Sequence, residues 1–221
     1  MPSASLLAFT GASLDSFLYL NHGHVFAGVM TGNAVLCGVG IFNKSSGGAL
    51  HYAWPILAYV CGIFLVAIVQ RRVRHHPVRL ALGIVILGIL TMSFAPDTFP
   101  ERWYVFVVVL LTGFLVGISQ KVDSYAYNAT VLTGTLRDGA LSLYGALDPR
   151  LRGGDLSKVR DLWTLMLSFF AGAVCGGLLG RHIGNRALWL PVATLCLVLA
   201  LVLRAGSNTT GFDYGGQSRE P

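Results

Sequence analysis

The sequence predicts an all-α, polytopic membrane helix bundle, and three observations predict it. Hydrophobic residues make up 54% of the 221-residue chain and charged residues only 12%, against roughly 25% charged in a soluble domain. Mean hydropathy is +0.64. Apolar runs of about 20 residues, each able to cross roughly 30 Å of hydrocarbon as a helix, recur along the whole length. They lack the alternation of barrel strands, and a helix satisfies its own backbone in lipid.

The formal charge of +6 would suggest nucleic acid in a soluble protein. Here Lys and Arg stand between apolar runs, where they orient spans and meet anionic headgroups. The expected partner is the lipid bilayer, and nucleic acid is excluded. The first 43 residues carry no Lys or Arg, so the charged n-region of a cleavable signal peptide is missing and this segment is expected to be retained. Cys37, Cys61, Cys175 and Cys196 are scattered singly in apolar runs, as small packing residues would be.

Apolar content, with Gly, Pro or charge at the ends, marks off eight segments. They are approximately residues 3–20, 25–42, 53–70, 80–95, 103–119, 129–147, 162–180 and 187–204. A single transmembrane domain is expected over 1–204, in halves of about 1–97 and 98–204. Residues 205–221, rich in Gly, Ser, Thr and Asn, are expected to form a disordered tail.

The halves look like pseudo-repeats. Thr31-Gly32 matches Thr133-Gly134, and Trp54, Gly62 and Arg71 then parallel Trp163, Gly172 and Arg181. Asp15-Ser16-Phe17-Leu18-Tyr19 has a counterpart in Asp123-Ser124-Tyr125-Ala126-Tyr127, although the register slips. Segments 25–42 and 129–147 are the polar, Gly-broken ones, the second carrying Arg137 and Asp138, which a lipid-facing helix tolerates poorly. If both stay within the protein, six helices cross in inverted halves; if both cross, there are eight spans in parallel halves. Six spans put ten basic residues on one side and four opposite, whereas eight give seven and eight. The positive-inside rule therefore favours six spans with both termini cytoplasmic.

Asp15 is the strongest single candidate for chemistry, because a carboxylate inside an apolar run is costly and faces a cavity or a partner. Its structural alternative is to cap a helix break or to bond backbone freed by Gly11. Thr31-Gly32-Asn33 is polar in mid-segment, and a discontinuous helix there would line a solute or ion site; packing glued by Thr and Asn is the alternative. Asn33 carries an amide that demands partners in a dry setting. In the second half Gln120, Asp123, Asn128, Thr130, Thr133, Gly134 and Thr135 form the comparable group. Arg137 is adjacent to Asp138 and so is expected to reach Asp123 or Asp15 instead. His22-Gly23-His24 without a carboxylate or thiolate cluster is a poor metal site, and no metal or cofactor is expected. Gly113-x-x-x-Gly117 and Gly172-x-x-x-Gly176-x-x-x-Gly180 are close-packing faces, within the bundle or between copies in a homo-oligomer. No G-x-S-x-G, H-E-x-x-H, P-loop or Rossmann fingerprint occurs, and the chain is expected not to be an enzyme.

The chain resembles the YoaK-type family of small bacterial membrane proteins, a domain of unknown function. Ala12-Ser13-Leu14-Asp15, Phe26 ahead of Met30-Thr31-Gly32-Asn33, Gly117-Ile118-Ser119-Gln120 and Thr130-x-x-Thr133-Gly134-Thr135 carry the resemblance, over nearly the whole length. Ala12 replaces a common Gly, and Lys121 stands where the family commonly has Asn. That register sets Ala12-x-x-Asp15 opposite Gly117-x-x-Gln120. The resemblance implies about six helices in the bacterial cytoplasmic (inner) membrane, and no substrate. The function expected from the residues is a small-solute or ion transporter or channel-like protein. Its central site would draw on Asp15, Thr31, Gly32, Asn33, Gln120, Asp123, Thr133, Gly134 and Thr135. The alternative is a non-catalytic membrane scaffold. A weaker third is an intramembrane enzyme, which would need a histidine within reach of Asp15.

Overall fold

The computed structural model describes residues 2–42, 48–73, 76–96, 98–119, 129–147 and 156–204. These residues form α1 (Pro2–Asn21), α2 (Met30–Phe42), α3 (Ala49–Arg72), α4 (Pro77–Ser93), α5 (Glu101–Ser119), α6 (Ala129–Leu147), α7 (Leu156–Ile183), a 3-10 turn (Gly184–Leu188) and α8 (Trp189–Arg204). No strand occurs among the described residues. The expected all-α bundle is thus observed; Gln120, Asp123 and the expected tail 205–221 lie outside the described residues.

Three stretches are long and apolar enough to cross a membrane: Ala49–Arg72, Glu101–Ile118 and Leu156–Arg204, the last being α7, the 3-10 turn and α8 together. Met30–Phe42 and Pro77–Ser93 are shorter apolar helices. Large apolar side chains face outward along the bundle, among them Leu57, Phe64, Leu87, Phe170 and Leu197. An apolar exterior of this kind suits lipid, because a soluble monomer rarely exposes so much contiguous apolar surface. The buried core runs between α1, α4, α5 and α8 through Leu14, Leu82, Ile89, Leu115 and Leu195.

Glycine brings two helix pairs into backbone contact. Gly172 of α7 lies against the Phe9 carbonyl of α1, Gly176 against Ser13, and Gly180 against Phe17 and Asn21. A Cβ at Gly172 or Gly176 would fall on α1 backbone, so only glycine permits this approach. Residue numbers rise together on the two helices, which therefore run parallel. In the same way Gly62 of α3 faces the Leu110 carbonyl of α5, Gly113 the Tyr59 carbonyl, and Gly117 the Val66 side chain. These glycine faces are filled from within the chain, the first of the two expected uses, packing within the bundle.

Polar contacts gather several helix ends at one end of the bundle. His22, just after α1, bonds Asn185 of the 3-10 turn at 2.9 Å. Asn185 donates its amide to the Ala95 carbonyl after α4 at 3.1 Å, and the Trp189 indole donates to Ser93 at 3.1 Å. His51 at the start of α3 bonds the Gly23 carbonyl at 2.6 Å. The His22 ring stacks on Tyr104 of α5 at 4.0 Å. The finishing ends of α1, α4 and α7 thus meet the starting ends of α3, α5 and α8. Deeper in, Thr10 of α1 bonds Thr194 of α8 at 2.7 Å, which with the His22–Asn185 contact shows α8 running antiparallel to α1.

The second expected segment, 25–42, is helical only from Met30. Gly23 and His24 adopt left-handed φ of 69° and 53°, a conformation that stops a right-handed helix, and residues 22–29 connect α1 to α2 without helix. α2 then lies on α3 with its far end beside the start of that helix. The Cys37 thiol donates to the Ala49 carbonyl at 3.3 Å, and a Cβ on Gly40 would crowd Gly48 and Ala49.

Candidate functional site

Asp15 sits on α1 six residues before its end at Asn21, which at 1.5 Å per residue is about 9 Å inside that helix end. The chain leaves α1, passes Gly23 at the bundle end, and folds back to this depth. There the carboxylate Oδ1 accepts the Gly28 amide at 2.6 Å and the Val29 amide at 3.3 Å, with the Ala27 amide beside them. These are the last residues before α2: the Val29 carbonyl accepts the Asn33 amide, which makes Val29 the residue preceding the first turn. An anion is at home at this position, where helix amides lack internal partners and the dipole is positive.

Asn33 closes the fold-back on itself. Its side-chain oxygen accepts the Phe26 amide at 2.8 Å, and its side-chain nitrogen donates to the Phe26 carbonyl at 2.8 Å. One side chain thus satisfies both polar groups of residue 26, which have no helix or sheet to satisfy them. Asn33 is fully buried. Gly32 is required beside it, since a Cβ there would stand 2.9 Å from the Phe26 ring. That ring also stacks on Tyr19 of α1 at 4.9 Å. The Phe26 to Asn33 motif is therefore one locally clasped unit, tied to α1 by Asp15 and by the Phe26–Tyr19 stack.

Two residues not singled out from the sequence complete the surroundings. A Cβ on Gly28 would lie 3.5 Å from Cγ2 of Thr112 on α5 and 3.7 Å from each Asp15 oxygen. The Thr112 hydroxyl turns away and donates to the Val108 carbonyl at 2.9 Å. The charge of Asp15 also acts on the phenol of Tyr59 on α3. A threonine and a tyrosine in apolar runs resemble packing residues, and no local signal marks them.

The remaining expected site residues lie elsewhere. Thr31 is exposed on α2, Thr133 is exposed on α6, and Thr135 is buried there. α2 rests chiefly on α3 and α6 on α7, where Gly139 approaches Leu162 and Trp163. The described structure does not gather Asp15 and Asn33 with Thr133, Gly134 and Thr135. Arg137 also departs from expectation: its guanidinium folds back onto the adjacent Asp138, at 3.0 Å from Nε and 2.9 Å from the terminal nitrogen. The long arginine stem can curl along its own helix, and an exposed pair of this kind contributes about 0–1 kcal/mol. His22 and His24 serve separate partners, the latter bonding the Tyr19 carbonyl at 2.8 Å.

An all-helical bundle with an apolar exterior and a buried acid holding folded-back backbone defines a polytopic helical membrane protein. Residues 3–201 match the family described as "Protein of unknown function (DUF1275)", and the chain belongs to that family. It is 23% identical over 215 residues to the UPF0700 transmembrane protein YoaK of Bacillus subtilis (strain 168), covering 94% of each chain. No solved structure matches it.

Proposed function

We propose that this is a multi-pass protein of the bacterial cytoplasmic membrane that passes a small solute or ion between two inverted halves, without catalysis. One observation carries the reading: non-helical backbone at residues 25–29 returns about 9 Å into the bundle by the rise of α1 and is held there by a buried carboxylate. Irregular backbone at membrane depth is tolerated only where protein buries it or where it lines a cavity. Repeat-built transporters place such breaks at their working sites.

The inverted repeat is supported by the pairing of helices. If α1 to α4 correspond to α5 to α8, the α7-on-α1 contact becomes α3-on-α5, α2-on-α3 becomes α6-on-α7, and α1-with-α8 becomes α5-with-α4; each of these pairs is in contact. Gly62 and Gly172, matched by sequence, both press on the partner helix's backbone. α2 and α6 are then re-entrant segments, and six helices cross. The basic end carrying Arg71, Arg72, Arg79, Lys158 and Arg160 faces the cytoplasm by the positive-inside rule.

The test is solute and ion flux in proteoliposomes, under imposed pH and ion gradients. The wild-type chain is expected to pass at least one solute, and Asp15→Asn, once shown to be folded, to lose that flux by about tenfold or more, the scale of one charge-assisted hydrogen bond. Absence of flux under every gradient would remove the reading. A scaffold is the second reading, favoured by the engagement of both polar ends of Asn33 in the backbone of Phe26; it expects Asp15→Asn to lower stability with no separable activity lost.

A further inference from the structure

The surroundings of Asp15 discriminate between the ions that this site could take. We infer that its ligand is a proton rather than a metal cation, and that taking it up releases the folded-back segment 25–33 from α1. The inference rests on the reading of the protein as a conduit and assigns the ion of that same site.

A bound Na⁺, K⁺ or Ca²⁺ needs a shell of several oxygen ligands. Around the Asp15 carboxylate the structure places hydrogen-bond donors instead, the amides of Gly28 and Val29. Beside Gly28 on the α5 side stands the methyl of Thr112, whose hydroxyl is turned to Val108. The Asn33 oxygen is taken by the Phe26 amide. The positive end of α2 points at the same place and opposes any added positive charge, but only a metal cation also lacks its ligand shell there. A proton needs no ligand shell.

The amides facing Asp15 favour its charged form, so a proton that binds does so at their expense. The folded-back segment contributes backbone amides, the Tyr59 phenol of α3 lies within reach of the charge, and the Thr112 methyl of α5 stands beside Gly28. The charge of the carboxylate is thus balanced by amide dipoles, and these charge-assisted bonds are about twice as strong as neutral ones. Protonation removes the charge and turns one oxygen into a donor that faces donors. The tie to α1 weakens, whereas the Asn33 clasp and the Phe26–Gly32 contact hold no charge and persist. The segment can then swing as a unit about Gly23 and His24, both already in left-handed conformations.

The test reads exposure of the segment. Ala27, fully buried, is replaced by cysteine in a chain whose four native cysteines are removed, and labelling by a membrane-impermeant thiol reagent is measured in vesicles. Rates are divided by those of Thr31→Cys, an exposed position on α2, to cancel the pH dependence of the thiol chemistry. The ratio is expected to rise about tenfold as pH falls from about 8 to about 5, the loss of one charge-assisted hydrogen bond. It should be the same in sodium, potassium, calcium and choline salts. Asp15→Asn should give the high ratio at every pH. Asp15→Glu, which keeps the charge but moves it, should keep the response and shift its midpoint. A ratio that follows sodium or calcium at fixed pH, or that stays low throughout, overturns the inference, as does an unshifted midpoint in Asp15→Glu. Labelling requires no flux, so a pH response in a protein that passes no solute would retain the proton and discard only the conduit.

Discussion

A Gly176→Val chain is expected to lose its folded state or to melt far below wild type. Gly176 meets the carbonyl oxygen, Cα and carbonyl carbon of Ser13, so the added methyls meet backbone and no side chain can yield. α7 would have to move off α1, and the Gly172 contact with Phe9 and the Gly180 contact with Asn21 would open with it. Overpacking costs about 1–3 kcal/mol, occasionally more, and at two backbones the upper end applies. For a chain of this size that is a fall in melting temperature of about 6–12 °C, read by fluorescence-detected gel filtration after heating in detergent. Gly134→Ala is the control. Nothing lies within 4 Å of its new Cβ, and the change favours helix by about 1 kcal/mol, so it should melt at or above wild type. Equal melting of Gly176→Val and wild type would mean that the α1–α7 contact does not hold the bundle together.

The same residues show which features could be read in the sequence. Glycine at every fourth position in 172–180 signals a helix face on which backbone can approach. It carries no information on which backbone comes, so packing within the bundle and packing against a partner copy are equally compatible with it. Asp15 was conspicuous because a carboxylate in an apolar run is costly, and a break in the helix was among its expected partners. That the break falls at 22–29 depends on His24 adopting a left-handed φ of 53°, which histidine does not advertise. The apolar pattern of 25–42 accordingly begins five residues before the helix does at Met30. The Asn33 amide needs partners in a dry setting, and the structure supplies them from the Phe26 backbone. Tyr59, Thr112 and the His22–Asn185 contact went unmarked, because residues spaced 163 apart leave no periodic trace. The polar group around Gln120 and Asp123 falls outside the described residues.

An Asn33→Leu chain is expected to be the most damaging change within the folded-back segment. Leucine fills the buried volume but leaves the Phe26 N–H and C=O without the bonds they have at 2.8 Å. Each part-buried group left unsatisfied costs about 1–3 kcal/mol, and no nearby helix or strand can adopt them. Thr31→Ala, two positions earlier and exposed, should change stability by about 0.5 kcal/mol or less. Asn33→Asp separates the two bonds: one oxygen still accepts the Phe26 amide, but the other would face the Phe26 carbonyl, and a loss close to that of leucine would show the donated bond to be essential. The decisive measurement is the double variant Asp15→Asn, Asn33→Leu. Both side chains hold the same eight-residue stretch, Phe26 to Asn33, so once one has let go the other has less left to hold. The combined loss should then fall short of the sum by about 0.5–3 kcal/mol. A strictly additive result would mean that the acid and the amide hold separate structures, and that the stretch does not move as one piece when Asp15 releases it.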